Sequence, residues 1–217
     1  TKKLAELRKK GFRACYPKYH AQGTLYAGLM DLDRCAFLFV CKDTDELHLE
    51  RFDFEPAEFD RLMARAERII FAAEPPLRTS DDPAWFECKF CYLHAHCHGT
   101  AAPEATCRSC AHATPERTGG WACECPGAAR PLPEDAQRAG CERHRVIPIL
   151  LANWAEQTDV VDGAVVYRNT LTGNTFMNGP RPDGYSSDEL AACEDKRAIG
   201  EPDMKAFRDQ FAGRVIA

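Results

Sequence analysis

The sequence predicts an α+β fold: a small antiparallel sheet with packed helices, then a cysteine-rich, zinc-ribbon-like module, then a C-terminal hairpin with helices. Three observations predict it. Stripes of apolar residues at helical spacing flank two short β-like runs in the first third of the chain. Residues 88–144 hold eight of the twelve cysteines and five of the seven histidines at ligand-like spacing. The last third carries a turn-flanked pair of apolar segments and a capping box. The corresponding divisions are residues 1–86, 87–145 and 146–217.

Residues 1–10 read as a short helix stopped by Gly11. Pro17 suits a first helical turn, and residues 19–30 continue as a helix with Gln22, Tyr26 and Met30 at successive i+4 positions. Residues 34–41 (RCAFLFVC) form a dense apolar strand expected to be buried on both faces. The turn Asp43-Thr44-Asp45 leads to a second strand over 46–54, and an antiparallel hairpin is the simplest pairing. Pro56 opens a helix to about Ala73, with Phe59, Leu62, Met63, Ala66, Ile69 and Ile70 as its core stripe. Pro75-Pro76 ends it, and residues 78–85 link to the cysteines.

In the middle segment, Cys88, Cys91, His94 and Cys97 form a C-x2-C-x2-H-x2-C run, with His96 and His98 as alternatives to His94. Cys107 and Cys110 lead a second set completed by Cys123 and Cys141, with Cys125 and His144 as alternatives. Two residues between paired cysteines let both thiolates point at one ion, so the expectation is two structural Zn2+ sites, with an iron–sulfur cluster as the alternative at the first. Residues 99–130 contain almost no large apolar side chains. Zinc binding coupled to folding, on the order of 10 kcal/mol in small modules, would hold such a segment where hydrophobic burial cannot.

Further on, residues 146–154 are apolar and expected to pack the middle segment onto the remainder. Residues 160–168 and 175–178 flank a Thr-Gly-Asn turn and read as a hairpin. Ser186 with Glu189 matches a capping box for a helix through Arg197, and Pro202 starts a last amphipathic helix carrying Met204, Phe207 and Phe211.

The chain has a net charge of −5 and an apolar content of 45%, enough for a core, with no run long enough for a membrane helix. Its opening, TKKLAELRKKGF, is basic and amphipathic without the apolar stretch of a secretory leader, so a reducing cytoplasm is expected. Thr-Lys-Lys fits either a start left by removal of an initiator Met or a cut from a longer chain. Charge is uneven. Lys2, Lys3, Lys9 and Lys10 give the opening a basic face suited to phosphates or an acidic surface, while residues 43–60 carry eight acids against Arg51 and could imitate a row of phosphates.

From Gln22-x3-Tyr26 through strand, turn, strand, long helix and Pro75-Pro76 to CKFCYLHAHCHG, CRSC and GGWAC, the chain resembles the C-terminal half of PD-(D/E)XK nucleases of the RecB-like type encoded by phages and prophages. The tail FMNGPRPDGYSSDEL is similar to such phage proteins as well. The resemblance implies that the first sheet and its helices are the remnant of a nuclease core and that Gln22 and Tyr26 face the nucleic-acid side. That family's catalytic Asp and (Asp/Glu)-x-Lys strands precede the Gln-x3-Tyr helix, and here only 21 residues precede Gln22, none reading as such a strand. The triplets Glu87-Cys88-Lys89 and Glu194-Asp195-Lys196 come after the helix, the latter on an expected surface helix. The resemblance therefore implies a non-catalytic, zinc-binding phage-type protein. It would use Lys2, Lys3, Lys9, Lys10, Gln22 and Tyr26 to bind nucleic acid or a host nucleoprotein, including as an anti-CRISPR-like inhibitor of host defence. The alternative is a nuclease fragment or subunit whose catalytic strands are supplied elsewhere.

Overall fold

Residues 2–128 and 131–214 are described by a computed structural model, which divides into two compact units, Thr1–Pro75 and Pro76–Ala217. Thr1, included in the expected first helix, lies outside the described residues. The architecture is mixed α+β with small antiparallel sheets.

The first unit begins with helices α1 (Lys2–Lys10), α2 (Phe12–Cys15) and α3 (Pro17–Leu29). Gly11 ends α1 as expected, its N–H donating to the Leu7 carbonyl at φ 80°, and α2 is a single turn that the sequence did not announce. Strands β1 (Arg34–Val40) and β2 (Leu47–Asp53) pair antiparallel with Leu38 opposite Leu49. Their inward residues, Phe37, Phe39 and Phe52, pack on Leu4, Leu7 and Phe12. Phe12 is the hub, its ring 4.5 Å from Phe37 and 5.9 Å from Phe52. The expectation that β1 is buried on both faces is corrected: exposure alternates along both strands, because helices cover the sheet on one side only.

Helix α4 (Pro56–Ile70) follows and packs on α3. Two glycines permit the close approaches of α3. A methyl group at Gly23 would stand 2.8 Å from Phe52 and 2.9 Å from Phe37, and one at Gly28 would overlap the Phe59 ring of α4. Gly28→Val should therefore destabilise this unit by about 1–3 kcal/mol through overpacking. The three tryptophans, Trp85, Trp121 and Trp154, all belong to the second unit, so far-UV circular dichroism should record the loss while the tryptophan transition stays in place.

The second unit starts with the one-turn helices α5 (Phe86–Lys89) and α6 (His94–Cys97), the small hairpin of β3 (Ala113–Pro115) and β4 (Trp121–Cys123), and α7 (Glu134–Ala139). A three-stranded meander follows, β5 (Ala155–Val161), β6 (Ala164–Asn169) and β7 (Thr175–Asn178), in the order β5-β6-β7. The expected two-stranded hairpin is thus corrected, and the segment 160–168 straddles the Asp162-Gly163 turn between β5 and β6. Helix α8 (Ser187–Ala192) carries the expected capping box but ends before Arg197, and α9 (Pro202–Phe211) closes the described fold. The core here gathers Val146, Leu151, Trp154, Tyr167, Phe176, Tyr185, Leu190 and Ile199. No helix among the described residues is long and apolar enough to cross a membrane.

Candidate functional site

The C-x2-C motifs fold as turns. The Cys91 N–H donates to the Cys88 carbonyl at 3.0 Å, and the Cys110 N–H to the Cys107 carbonyl at 3.3 Å. Around the first, Cys88 is pushed above its ordinary thiol range by desolvation, with the nearby Cys97 and Cys91 adding in the same direction. His94, expected to complete that set, and its alternative His96 lie against backbone carbonyls instead, whereas Nε2 of the other alternative, His98, is buried without a hydrogen-bond partner among the described residues. His94 Nε2 is 3.1 Å from the Pro83 oxygen and His96 Nδ1 is 3.2 Å from that of Ala101. In the second set, the Cys107 thiol donates to the Ala136 carbonyl at 3.7 Å, and burial followed by the thiols of Cys110, Cys141 and Cys123 raises its pKa.

Among the described residues, no group of three or more His, Cys, Asp or Glu side chains is arranged to hold a metal ion. This overturns the expectation of two Zn2+ sites at Cys88, Cys91, His94 and Cys97 and at Cys107, Cys110, Cys123 and Cys141, and of the iron–sulfur alternative. The zinc-ribbon reading falls with it, as do the phage and anti-CRISPR readings that leaned on that module. The physical reason is that the spacing which suits one ion also suits one hydrogen-bonded turn.

His144, an alternative ligand by spacing, is the centre of a buried polar network. Its Nε2–H donates to the Thr106 carbonyl at 2.8 Å, and its Nδ1 accepts from the Ser187 hydroxyl at 2.7 Å. Asn178 extends the network, donating to Ser187 Oγ and to the Tyr185 carbonyl and accepting from the Val146 N–H. These bonds hold the 106–109 turn to β7 and α8. Burial, the largest influence, lowers the His144 pKa. Because the folded state resists protonation, its stability is full above the unfolded pKa of about 6.5. It is lost as pH falls from there toward the lowered folded value, by at most about 1.4 kcal/mol per pH unit. Burial lowers His112 in the same sense. Tryptophan-monitored unfolding should show a lower midpoint at acidic than at neutral pH, and His144→Gln should lower the neutral-pH midpoint and flatten that dependence.

The two Glu-x-Lys triplets lie in different settings. Lys196 is buried, not on a surface helix face, and its Nζ donates to the carbonyls of Leu190 and Cys193 beneath the Trp154 ring. Glu87 and Lys89 lie on the single turn α5.

The first unit brings the expected binding residues of α3 together. His20, Gly23, Thr24 and Ala27 bury one side of the helix, His20 stacking on Phe52 at 4.3 Å. The other side exposes Tyr19, Gln22 and Tyr26 at i, i+3 and i+7, with both tyrosines more than half exposed. Gln22 Nε2 donates to the Tyr26 hydroxyl at 2.7 Å, which fixes the two side chains relative to each other. Tyr19 was missed by sequence reasoning, although its place three residues before Gln22 put it on that face. The lysines sit on α1: Lys2, Lys3 and Lys9 are exposed, and Lys10 is paired with Glu6 at 2.6 Å. The acids of 43–60 do not form a uniform row. Glu46 pairs with Arg8, Glu55 with Arg13, Glu58 with Arg61, and Glu50 bonds His48.

Comparison with family models, with curated proteins and with solved structures finds no match to this chain.

Proposed function

We propose that the chain is a non-catalytic binding protein whose α3 face engages nucleic acid, alone or within a nucleoprotein, and that its first unit descends from a PD-(D/E)XK core lacking the catalytic strands. The observation that carries this is the exposed Tyr19-Gln22-Tyr26 face, in which two aromatic rings flank a hydrogen-bonded amide. Exposed aromatic rings stack on any base, and an amide can reach a base edge or a phosphate. The lysines of α1 supply phosphate attraction. The chain is acidic overall, which confines that attraction to a local patch.

The test is fluorescence anisotropy of labelled single- and double-stranded oligonucleotides with the full chain, followed by a cleavage assay with Mg2+ or Mn2+. Single-strand binding without cleavage is expected. Tyr26→Ala should weaken it by about 1–3 kcal/mol, the usual worth of one stacked base, or about 5- to 150-fold. Affinity unchanged by both Tyr19→Ala and Tyr26→Ala would sink the reading. Cleavage lost in Gln22→Ala would replace it with the nuclease alternative.

A further inference from the structure

Helix α9 presents the reverse of the usual amphipathic arrangement. Its apolar side chains Met204, Phe207 and Phe211 are 42–60% exposed, although a surface helix ordinarily buries such a stripe. Its charged side, with Lys205, Arg208 and Asp209, lines a cleft of about 150 Å³. The floor of that cleft is apolar, made by Val166 of β6, Phe176 and Met177 of β7, and Tyr185. An apolar floor with a few polar groups around it is the make-up of a small-molecule site.

Two of the charges are not used by the fold. Lys205 and Asp209 stand at i and i+4, with Cβ atoms about 6 Å apart, the interval at which opposite charges pair on a helix. The order of Lys before Asp is the less favourable one, and neither side chain bonds or pairs with another group among the described residues. Arg208, by contrast, is committed to Glu189 and to the Gly184 carbonyl and serves as a wall. Tyr185, only 5% exposed, accepts the Gly200 N–H at 3.3 Å, and its own phenolic proton has no acceptor among the described residues. Asp183 meets Arg181 through one carboxylate oxygen, which leaves the other toward the cleft it lines.

This donor and acceptor set selects a ligand with both signs of charge. A simple anion would meet Asp183 and Asp209, and a simple amine would meet Lys205. A space of this size holds a group about as large as benzene. We infer that the cleft binds a free α-amino acid with an apolar side chain of the leucine or phenylalanine class. Lys205 takes the carboxylate, with the Tyr185 hydroxyl as a further donor, Asp209 takes the ammonium, and the side chain lies on Val166 and Met177. A peptide end carries only one of the two charges, which makes the free amino acid the better fit. The cleft belongs to the second unit and the α3 face to the first, so the inference stands independently of the proposed function.

Isothermal titration calorimetry of the full chain with L-leucine and L-phenylalanine, up to about 10 mM, tests it. Binding of at least one is expected, with Lys205→Met and Asp209→Asn each weakening it about tenfold or more at unchanged far-UV circular dichroism, since each removes a charge-assisted contact. The amide, which lacks the carboxylate, and the N-acetyl derivative, which lacks the ammonium, should bind weaker by the same margin. Lys205→Met should no longer distinguish the amino acid from its amide, and Asp209→Asn should no longer distinguish it from the N-acetyl form, a pattern that a general loss of structure would not produce. Absence of binding by both amino acids overturns the inference, as does binding indifferent to both substitutions. An N-acetyl derivative that binds as tightly as the amino acid overturns it too.

Discussion

Trp154→Ala should cost the second unit about 3–5 kcal/mol, the range for deleting a large buried aromatic, out of the roughly 5–15 kcal/mol that holds a domain of ordinary stability. Trp154 is fully buried. Its ring lies parallel to Phe176 at 5.5 Å, Phe176 lies parallel to Tyr167 at 5.3 Å, and Tyr185 meets Phe176 edge-on at 6.1 Å. Removing the tryptophan opens a cavity at one end of this stack and uncovers Lys196, whose ammonium stands 5.8 Å from the ring centroid. The conservative variant separates packing from polarity. The indole N–H is buried without a hydrogen-bond partner among the described residues. An unsatisfied donor of that kind costs about 1–3 kcal/mol, so Trp154→Phe, which removes it, should recover much of the loss. Urea unfolding followed by circular dichroism, with Trp85 and Trp121 still present as fluorophores, measures both. Equal losses for the two variants would refute the account.

Glu189→Ala should be comparably severe, at about 3–5 kcal/mol, because it leaves a buried cation without its counter-ion. The Glu189 and Arg208 side chains are only 7% and 12% exposed and meet at 2.5 Å. Glu189 also accepts the Ser186 N–H at 2.8 Å in the capping box of α8. Arg208 also donates to the Gly184 carbonyl at 2.8 Å and covers the Tyr185 ring at 4.1 Å. One carboxylate therefore caps α8 and anchors α9. Helix α9 has little else to hold it, since Met204, Phe207 and Phe211 are all exposed. Amide hydrogen exchange should show α9 losing protection first in Glu189→Ala. Adding Arg208→Met should restore part of the stability, since it removes the stranded charge and keeps an apolar contact with Tyr185; a double variant no better than the single one would refute this.

What could be read from the sequence follows from how local each signal is. Pro17, Pro56 and Pro202 mark helix starts that depend on a missing N–H and a fixed φ, and Gly11 and the Ser186–Glu189 box act within four residues. The first hairpin was legible from its turn. Strand β5 was not, because it runs through Glu156, Gln157, Thr158 and Asp159, whose side chains face solvent and leave no alternation to see. The density of β1 concealed its exposed side, since apolar residues on an uncovered face look the same in sequence as residues buried on two. The spacing placed Gln22 and Tyr26 on one helix face, which the helix keeps, while their binding role was implied only by the family resemblance. The cysteine spacing misled because a turn and a ligand pair impose the same interval, and only the directions of His94 and His96 tell them apart.

The His144 network has a consequence for the order in which the chain acquires its structure. Its bonds join residues 35 positions apart, at Ser109, and 43 apart, at Ser187. The β5-β6-β7 meander needs only short loop closures, while the imidazole cannot find its partners until two long segments have come together, a search whose entropic cost grows with separation. The junction is therefore expected to form late in folding, and His144→Gln to raise the unfolding rate more than it lowers the folding rate. An imidazole that closes the structure last governs chiefly how fast the unit comes apart, which makes this one side chain a control on the lifetime of the native state more than on the speed of reaching it.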